Sequence, residues 1–380
     1  DWLGLPEGAP FPPLKEVLAG DGAKAVQQTR GGRFRASAAR SYLRPAMRRP
    51  NLQVVTNTLV HRLVLDGKRA VGVEFSRGGA VERADANGEV ILSGGAIGSP
   101  HILQLSGIGD PDHLGGIGID TQHALQGVGK NFQDHFIVRV QAEVQNIATL
   151  NERSRGIRFV GELMKYAFNG TGMLTYAASL LAASVKVLPE SATPDAQALF
   201  SSASFALGPK RVLDRKPGMT SGVWQMRPES RGHVEAASAD PREQPVINPN
   251  YMAEDRDRRT VIAGLRTVRD WFNTPPLKQY LVSETFPGPD VESDDELLAY
   301  AREMGSTVFH ATCSCKMGND PLAVVDDRLK VHGMEGLRVI DASVMPAVTS
   351  TNTNAPTIMI AEKGANMIKE DAKSQLGAAA

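Results

Sequence analysis

The sequence predicts a mixed α/β and α+β protein of two domains, and three features predict it. Residues 52–95 hold β-branched segments separated by turn signals. The middle of the chain, 136–307, mixes strand-like runs with helical ones, and the last stretch returns to a strand, a polar loop and a helix. The length agrees, because 380 residues exceed the roughly 250–300 at which a single core stops growing.

Taken in order, residues 1–22 are rich in Pro and Gly and read as an irregular arm ending in an Asp21-Gly22 turn; we place the arm at 1–27. SAARSYLRPAMR (37–48) reads as a helix that Pro45 ends or kinks. LQVVTNTLVHRLVL (52–65), the turn Asp66-Gly67, AVGVEFS (70–76) and EVILSGG (89–95) read as an antiparallel meander of three or four strands. In GAIGSPHILQLSGIG (95–109), glycines bracket a short helical core, Pro100–Leu105. Such a stretch is either a tight turn and helix packed on the sheet or an anion site at a helix N-terminus. FIVRVQAEV (136–144) reads as a strand, and 152–168 and 255–272 read as helices. LRVIDASV (337–344) reads as a strand, and PTIMIAEKGANMIKED (356–371) as a helix with Pro in its first turn.

Composition narrows the function. Lys+Arg and Asp+Glu are equal at 42 each, so no net field favours nucleic acid or an anionic membrane. The basic clusters Arg30–Arg35 and Arg44–Arg49 are interrupted by other residues and read as solvated faces. No apolar run reaches the roughly 18–20 residues that span a bilayer. The first residues lack the basic and apolar segments of a signal peptide, and no initiating Met is present, so a processed or incomplete chain is expected. The two cysteines imply no disulfide framework, which points to a reducing, cytoplasmic setting. No further Cys-x-x-Cys or His-x-x-x-His completes a zinc set, so no metal is expected.

No Gly-x-Ser-x-Gly elbow, Walker loop or Gly-x-Gly-x-x-Gly fingerprint occurs, which removes the usual hydrolase, phosphoryl-transfer and dinucleotide signals. His310, in VFHATCSCKMG (308–318), is the best titratable candidate, since only histidine has an unperturbed pKa near neutrality.

Several motifs together carry a resemblance. GAIGSPHILQLSGIG, GVGKNFQDH (127–135), HATCSCKMG (310–318), AVVDDRLKVHGMEGLRVIDASVMP and STNTNAPTIMIAEKGANMI resemble, in order, signatures of the glucose–methanol–choline (GMC) oxidoreductases. The similarity runs from about Arg33 to Lys369, and the last two of these stretches are similar to the closing stretch of choline- and alcohol-dehydrogenase members. It implies a GMC-type split FAD-binding domain, incomplete here, from 28–135 and 308–372, with an inserted substrate domain over 136–307 built on an antiparallel sheet. It also implies an FAD-dependent alcohol dehydrogenase or oxidase acting on a small-molecule alcohol, and it leaves the electron acceptor open. His310 falls on the family's base and Asn354 on its second active-site position, which would bind the substrate oxygen. Val60 falls on the adenine contact, Asp341 and Ala342 on the strand end beside the phosphate–ribityl region, and Pro356 and Thr357 on the helix start under the flavin ring. Both halves of this expectation suit the chemistry: neutral imidazole takes a proton near pH 7, and the cofactor carries the hydride.

The family's histidine loop has Gly and Thr where this chain has Cys313 and Ser314, so a left-handed backbone there would strain Cys313. The family's Gly-rich unit, which cradles the FAD pyrophosphate, has no counterpart in these residues. The alternative expectation is therefore a non-catalytic or partial chain that binds FAD weakly by itself. Trp224, Tyr251, Trp271 and Phe272 are the aromatic candidates for a substrate pocket in the inserted section.

Overall fold

The computed structural model describes residues 22–26, 29–31, 34–177, 179–206 and 212–378. The expected arm over 1–27 lies outside the described residues except for 22–26, as do Asp21 of its turn and the Gly32-Arg33 pair. Two compact units form. One holds residues up to 35, 138–225 and 259–305, and the other holds 36–137, 226–258 and 306–380.

In the first unit an antiparallel sheet runs in the order Gly22–Ala25, Leu181–Val185, Ala196–Ser201, Gly218–Gln225, 138–144 and Leu281–Phe286. Gly22–Ala25 is thus a strand paired with 181–184, although the sequence suggested only an arm. Backbone pairing, not side-chain pattern, makes that edge. Every residue of Gly218–Gln225 is buried. The helix Asp255–Phe272 forms as expected, and Val261, Leu265, Val268 and Phe272 recur at helical spacing as its buried stripe. Gly264 belongs to that stripe because a Cβ there would come within 2.7 Å of the Val223 side chain. The helix expected over 152–168 is broken instead: Leu150–Arg153 and Gly156–Asn169 are separate, with Gly156 at φ +55°.

The second unit carries the meander, in the order Thr58–Asp66, Arg69–Arg77 and Ala80–Asp85. Asp66-Gly67 makes the expected turn, with Gly67 at φ +56°. The first strand begins later than the sequence suggested, because Asn57 adopts φ +57° and ends extended backbone there. Val90–Leu92 leaves the meander altogether and pairs in parallel with Leu337–Val339. The strand expected over 337–344 stops at Val339, and a short 3₁₀ turn, Ala342–Val344, follows. Helix Gly95–Leu105 is longer than its predicted core, with Pro100 inside it. The helix around Pro45 continues through that residue, as Ala39–Leu43 and Arg44–Ala46. The last helix runs from Asn354 to Ala378.

Residues 226–258 were expected in the insertion, but they belong to this second unit. Phe132 and Gly232 exchange both backbone hydrogen bonds, and Val234 N–H donates to Gly129 O at 2.8 Å. Gln104, on helix Gly95–Leu105, donates to Val234 O and accepts from Ala236 N–H. A buried apolar cluster of Leu63, Leu92, Leu103, Val325, Leu337 and Val339 among others joins the meander, the helix and the parallel pair. Among the described residues no helix is long and apolar enough to cross a membrane.

Candidate active site

His310 sits where the short strand Ser306–Thr307 ends, after pairing with Phe136 and Ile137. The loop that follows is held from two sides. Thr312 and Gln133 exchange backbone hydrogen bonds. Beyond them, the N–H groups of Cys313, Cys315 and Met317 donate to the carbonyls of Ala342, Ser343 and Val344. The second loop, 345–353, is fixed by the same short motif that precedes the 136–144 strand. Asn131 Nδ2 donates to Pro346 O at 3.2 Å, and Gln133 Oε1 accepts from Val348 N at 3.1 Å.

These constraints bring a polar cluster together. Asp134 Oδ1 accepts the backbone N–H of His310 at 2.8 Å, and its Oδ2 accepts from Tyr251 and Thr307 at 2.5 Å each. His135 Nδ1 lies 2.8 Å from His310 Nδ1, and His135 Nε2 lies 2.9 Å from Met226 O. On the other side of the ring, His310 Nε2 is 3.0 Å from the Asn352 side-chain amide. His310 is only 6% exposed. Burial lowers its pKa, against the opposing pull of the Asp134 charge. Burial takes His135 further, to about 4, so that ring is neutral near pH 7. Tyr251 is raised by burial and by Asp134, and stays a donor. Phe309, by contrast, adopts φ +61° and is 81% exposed beside the imidazole.

The sequence pointed to His310, and it is at the centre of this cluster. It pointed to Asn354 as the partner, but the residue in contact with His310 is Asn352. Asn354 opens the last helix, with an exposed side chain. The motif STNTNAP offers both amides two positions apart, and only the loop's path selects between them. Asp134 and His135 were quoted as part of a motif and given no role. The signal available was three consecutive polar residues, Gln133, Asp134 and His135, all buried directly ahead of an apolar strand.

The remaining positions are placed as follows. Asp341 is buried, and its carboxylate accepts from Gly95 N, Ser99 Oγ, Ser343 N and Ser343 Oγ. The N-terminus of helix Gly95–Leu105 is thus capped from within the chain, which favours the packing alternative there over an anion site. Ala342 O takes the Cys313 N–H. Pro356 and Thr357 lie in the first turn of the last helix, where Thr357 N–H and Oγ1–H both reach Thr353 O. Val60 is half-buried in the meander, opposite Phe75. Of the aromatic candidates, Trp224 and Phe272 are buried in the first unit's core, and Tyr251 is committed to Asp134. A cavity of about 750 Å³ lies elsewhere in the second unit, lined by His61, Arg62, Ser106 and Gln122 among others, and includes none of the cluster's residues.

Cys313 and Cys315 are free and buried, with both thiols pushed up by burial, that of Cys313 to about 12. Thiols held protonated are poor nucleophiles and poor ligands. Among the described residues no group of three or more His, Cys, Asp or Glu side chains is gathered as a metal site would need. Cys313 does adopt φ +74°, the left-handed backbone that strains a residue with a Cβ. Two results are expected. Cys315→Ala should cost about 1–2 kcal/mol in denaturant unfolding and keep turnover within about tenfold. Cys313→Gly should be more stable than Cys313→Ala by about 1 kcal/mol, because glycine relieves the backbone while both lose the thiol. Activity abolished by chelators would contradict the first expectation.

Comparisons with known proteins show which family the chain is similar to. Two family models described as GMC oxidoreductase match residues 15–137 and 228–361. The oxygen-dependent choline dehydrogenase of Serratia proteamaculans (strain 568) is 41% identical over 338 residues, covering 88% of this chain and 61% of that protein. The chain therefore spans about three-fifths of the length of this relative. The crystal structure of a formate oxidase superposes with a TM-score of 0.79 at 27% identity, covering 86% of this chain and 62% of the other. An FAD-dependent oxidoreductase from Chaetomium thermophilum gives 0.78 at 26% identity, covering 90% and 66%. With both family models matched in order along most of its length, the chain belongs to the GMC oxidoreductase family.

Proposed function

We propose that the enzyme containing this chain oxidises a small alcohol to the aldehyde, with FAD as its cofactor. The observation that carries the reading is the His310–Asn352 pair, a buried imidazole nitrogen and an amide 3.0 Å apart on two loops locked by residues 131–135. FAD, when bound, would supply the acceptor for the hydride that leaves the carbinol carbon, in this reading at flavin N5. His310 Nε2 takes the hydroxyl proton. Asn352 donates its amide hydrogen to the alcohol oxygen, a neutral contact that holds the substrate without competing for the proton. We assign this contact, which the sequence placed at Asn354, to Asn352 because Asn352 reaches the base.

The chain's residues fit the cofactor on its ring side. The last helix opens on Asn354, an exposed residue whose amide suits the carbonyls and nitrogens along a flavin edge. Pro356 and Thr357 would then lie under the ring, and half-buried Val60 offers an apolar contact for adenine. The Asp341 carboxylate is fully occupied within the protein, so any cofactor contact at Asp341 and Ala342 is made by backbone. The electron acceptor is left open.

The test is anaerobic mixing of the intact enzyme with a panel of primary alcohols, choline among them, while flavin absorbance is followed. Bleaching with one alcohol and stoichiometric aldehyde is expected, and no bleaching with any alcohol would end the proposal. In the same assay Asn352→Ala should lower kcat/KM about tenfold, the equivalent of one hydrogen bond of about 1.4 kcal/mol. Asn354→Ala should lower it less. The reverse order would return the substrate contact to Asn354.

A further inference from the structure

The proposed base has a second histidine against its back. His135 is buried with no exposed surface, and its two nitrogens meet different neighbours: Met226 O at 2.9 Å and His310 Nδ1 at 2.8 Å. A carbonyl oxygen only accepts, so His135 Nε2 carries the hydrogen in that contact. The neutral ring then has a bare Nδ1. His310 Nδ1 must donate into it, because two bare nitrogens or two N–H groups facing each other at that distance would repel. The hydrogen on His310 is thereby fixed on Nδ1. Its Nε2 is left with a lone pair, and Nε2 is the nitrogen that meets the Asn352 amide. Every polar atom in the row has its donor or acceptor role set from one end, the Met226 carbonyl.

We infer that His135 is a positioning residue, which fixes the tautomer and the ring plane of His310 so that Nε2 is the proton-accepting nitrogen. The inference rests on the alcohol-oxidation reading for its consequence in catalysis, but not for the tautomer. The more usual arrangement sets a carboxylate behind a catalytic imidazole, which orients the ring and also stabilises the imidazolium. A neutral imidazole acceptor orients the ring without adding a formal charge. The charge near His310 comes from elsewhere: Asp134 holds its backbone N–H, with Tyr251 and Thr307 donating to the other carboxylate oxygen. Orientation and electrostatics are divided between two adjacent residues of one motif. The rings meet edge to face, with an interplanar angle of 84°, so the shared hydrogen bond fixes the tilt of His310 as well as its protonated nitrogen.

Two measurements test it. The first needs neither flavin nor turnover: ¹⁵N NMR of the histidine-labelled chain, with His310 assigned by loss of its signals in His310→Ala. The Nδ1–H form is expected to dominate at neutral pH, and a dominant Nε2–H form would overturn the inference. The second compares two replacements in the intact enzyme. His135→Leu removes the acceptor and should lower kcat about 10–100-fold, the range for partners that orient a functional histidine, with flavin content and KM little changed. His135→Asn places an amide oxygen near the position of Nδ1, and should recover most of that loss. A folded His135→Leu enzyme with full kcat, or an Asn variant no better than Leu, would also overturn it. Should His135→Leu fail to fold, the tautomer of the unmodified chain still decides. The two proposals fail differently: loss of the alcohol reading leaves the NMR result intact, whereas loss of this one leaves a His310→Ala defect beside an unaffected His135 variant.

Discussion

In the intact enzyme, His310→Ala is expected to slow alcohol oxidation about 10²–10⁴-fold, the usual contribution of a general base, with flavin content nearly unchanged. The size follows from what the two ring contacts described above can offer in its place. The Asn352 amide has no basic nitrogen, and the bare nitrogen of His135 is directed at His310 itself. The pH dependence has a definite sign. Burial lowers the His310 pKa, so the neutral, proton-accepting form persists to lower pH than in free imidazole, whose pKa is about 6.5. The acid limb of kcat/KM should accordingly fall below that value. Replacing Asp134 with Asn removes the opposing charge and should move the limb lower still. Turnover within about tenfold of the unmodified enzyme in His310→Ala would remove the residue from the mechanism, and an acid limb above the free-imidazole value would show that the Asp134 charge outweighs burial.

The sequence made some parts of this molecule easy to read and hid others for physical reasons. Helix Asp255–Phe272 and the 136–144 strand were legible because their side chains report their surroundings locally: a charged face over a buried stripe in one, an apolar β-branched run in the other. Ala80–Asp85 carries no such signal. It has two acidic residues and an arginine, and it is a strand because it pairs along Gly72–Arg77, where Gly72 has no Cβ to strike Ala84 O. Val90–Leu92 looked like one more meander strand, since three apolar residues cannot reveal that their partner lies more than two hundred positions away. The candidate site divides in the same way. His310 stands out by its chemistry, whereas the choice between Asn352 and Asn354 depends on the path of a loop fixed by Asn131 and Gln133. The role of His135 is set by a carbonyl at Met226, a backbone atom that no side-chain pattern reports.

Arg338→Met is expected to be the most damaging change away from the site, at about 3 kcal/mol, the lower end for breaking a buried ion pair. Arg338 is 1% exposed in the strand that pairs with Val90–Leu92. Its guanidinium donates to Glu89 at 2.5 Å, to Asp371 at 2.6 Å and to Arg328 O at 2.7 Å. One side chain thus ties both parallel strands to the last helix, which begins beside the proposed cofactor ring. Methionine would fill most of the volume, so the cost is mainly electrostatic. Glu89 would lose its cation, while Asp371 would keep Arg328 and Lys330. These carboxylates are each about a fifth exposed, and solvent screening is the reason for choosing the lower end. For a unit of about this size the loss corresponds to roughly 6–12 °C in Tm. Adding Glu89→Gln should recover part of it, because the double variant leaves no carboxylate facing an apolar side chain. The pH sign also follows. Lys330 first, then Arg338 and Arg328, hold the Asp371 carboxyl well below the usual range. A depressed folded pKa gives stability that is complete above the unfolded value of about 3.9 and is lost as pH falls through the folded pKa. The gap between the unmodified chain and Arg338→Met should therefore be full at pH 7 and narrow below about pH 4. A variant within about 1 kcal/mol of the unmodified chain at pH 7, or a gap as wide at pH 3 as at pH 7, would show that Arg338 packs there without holding the strands to the helix.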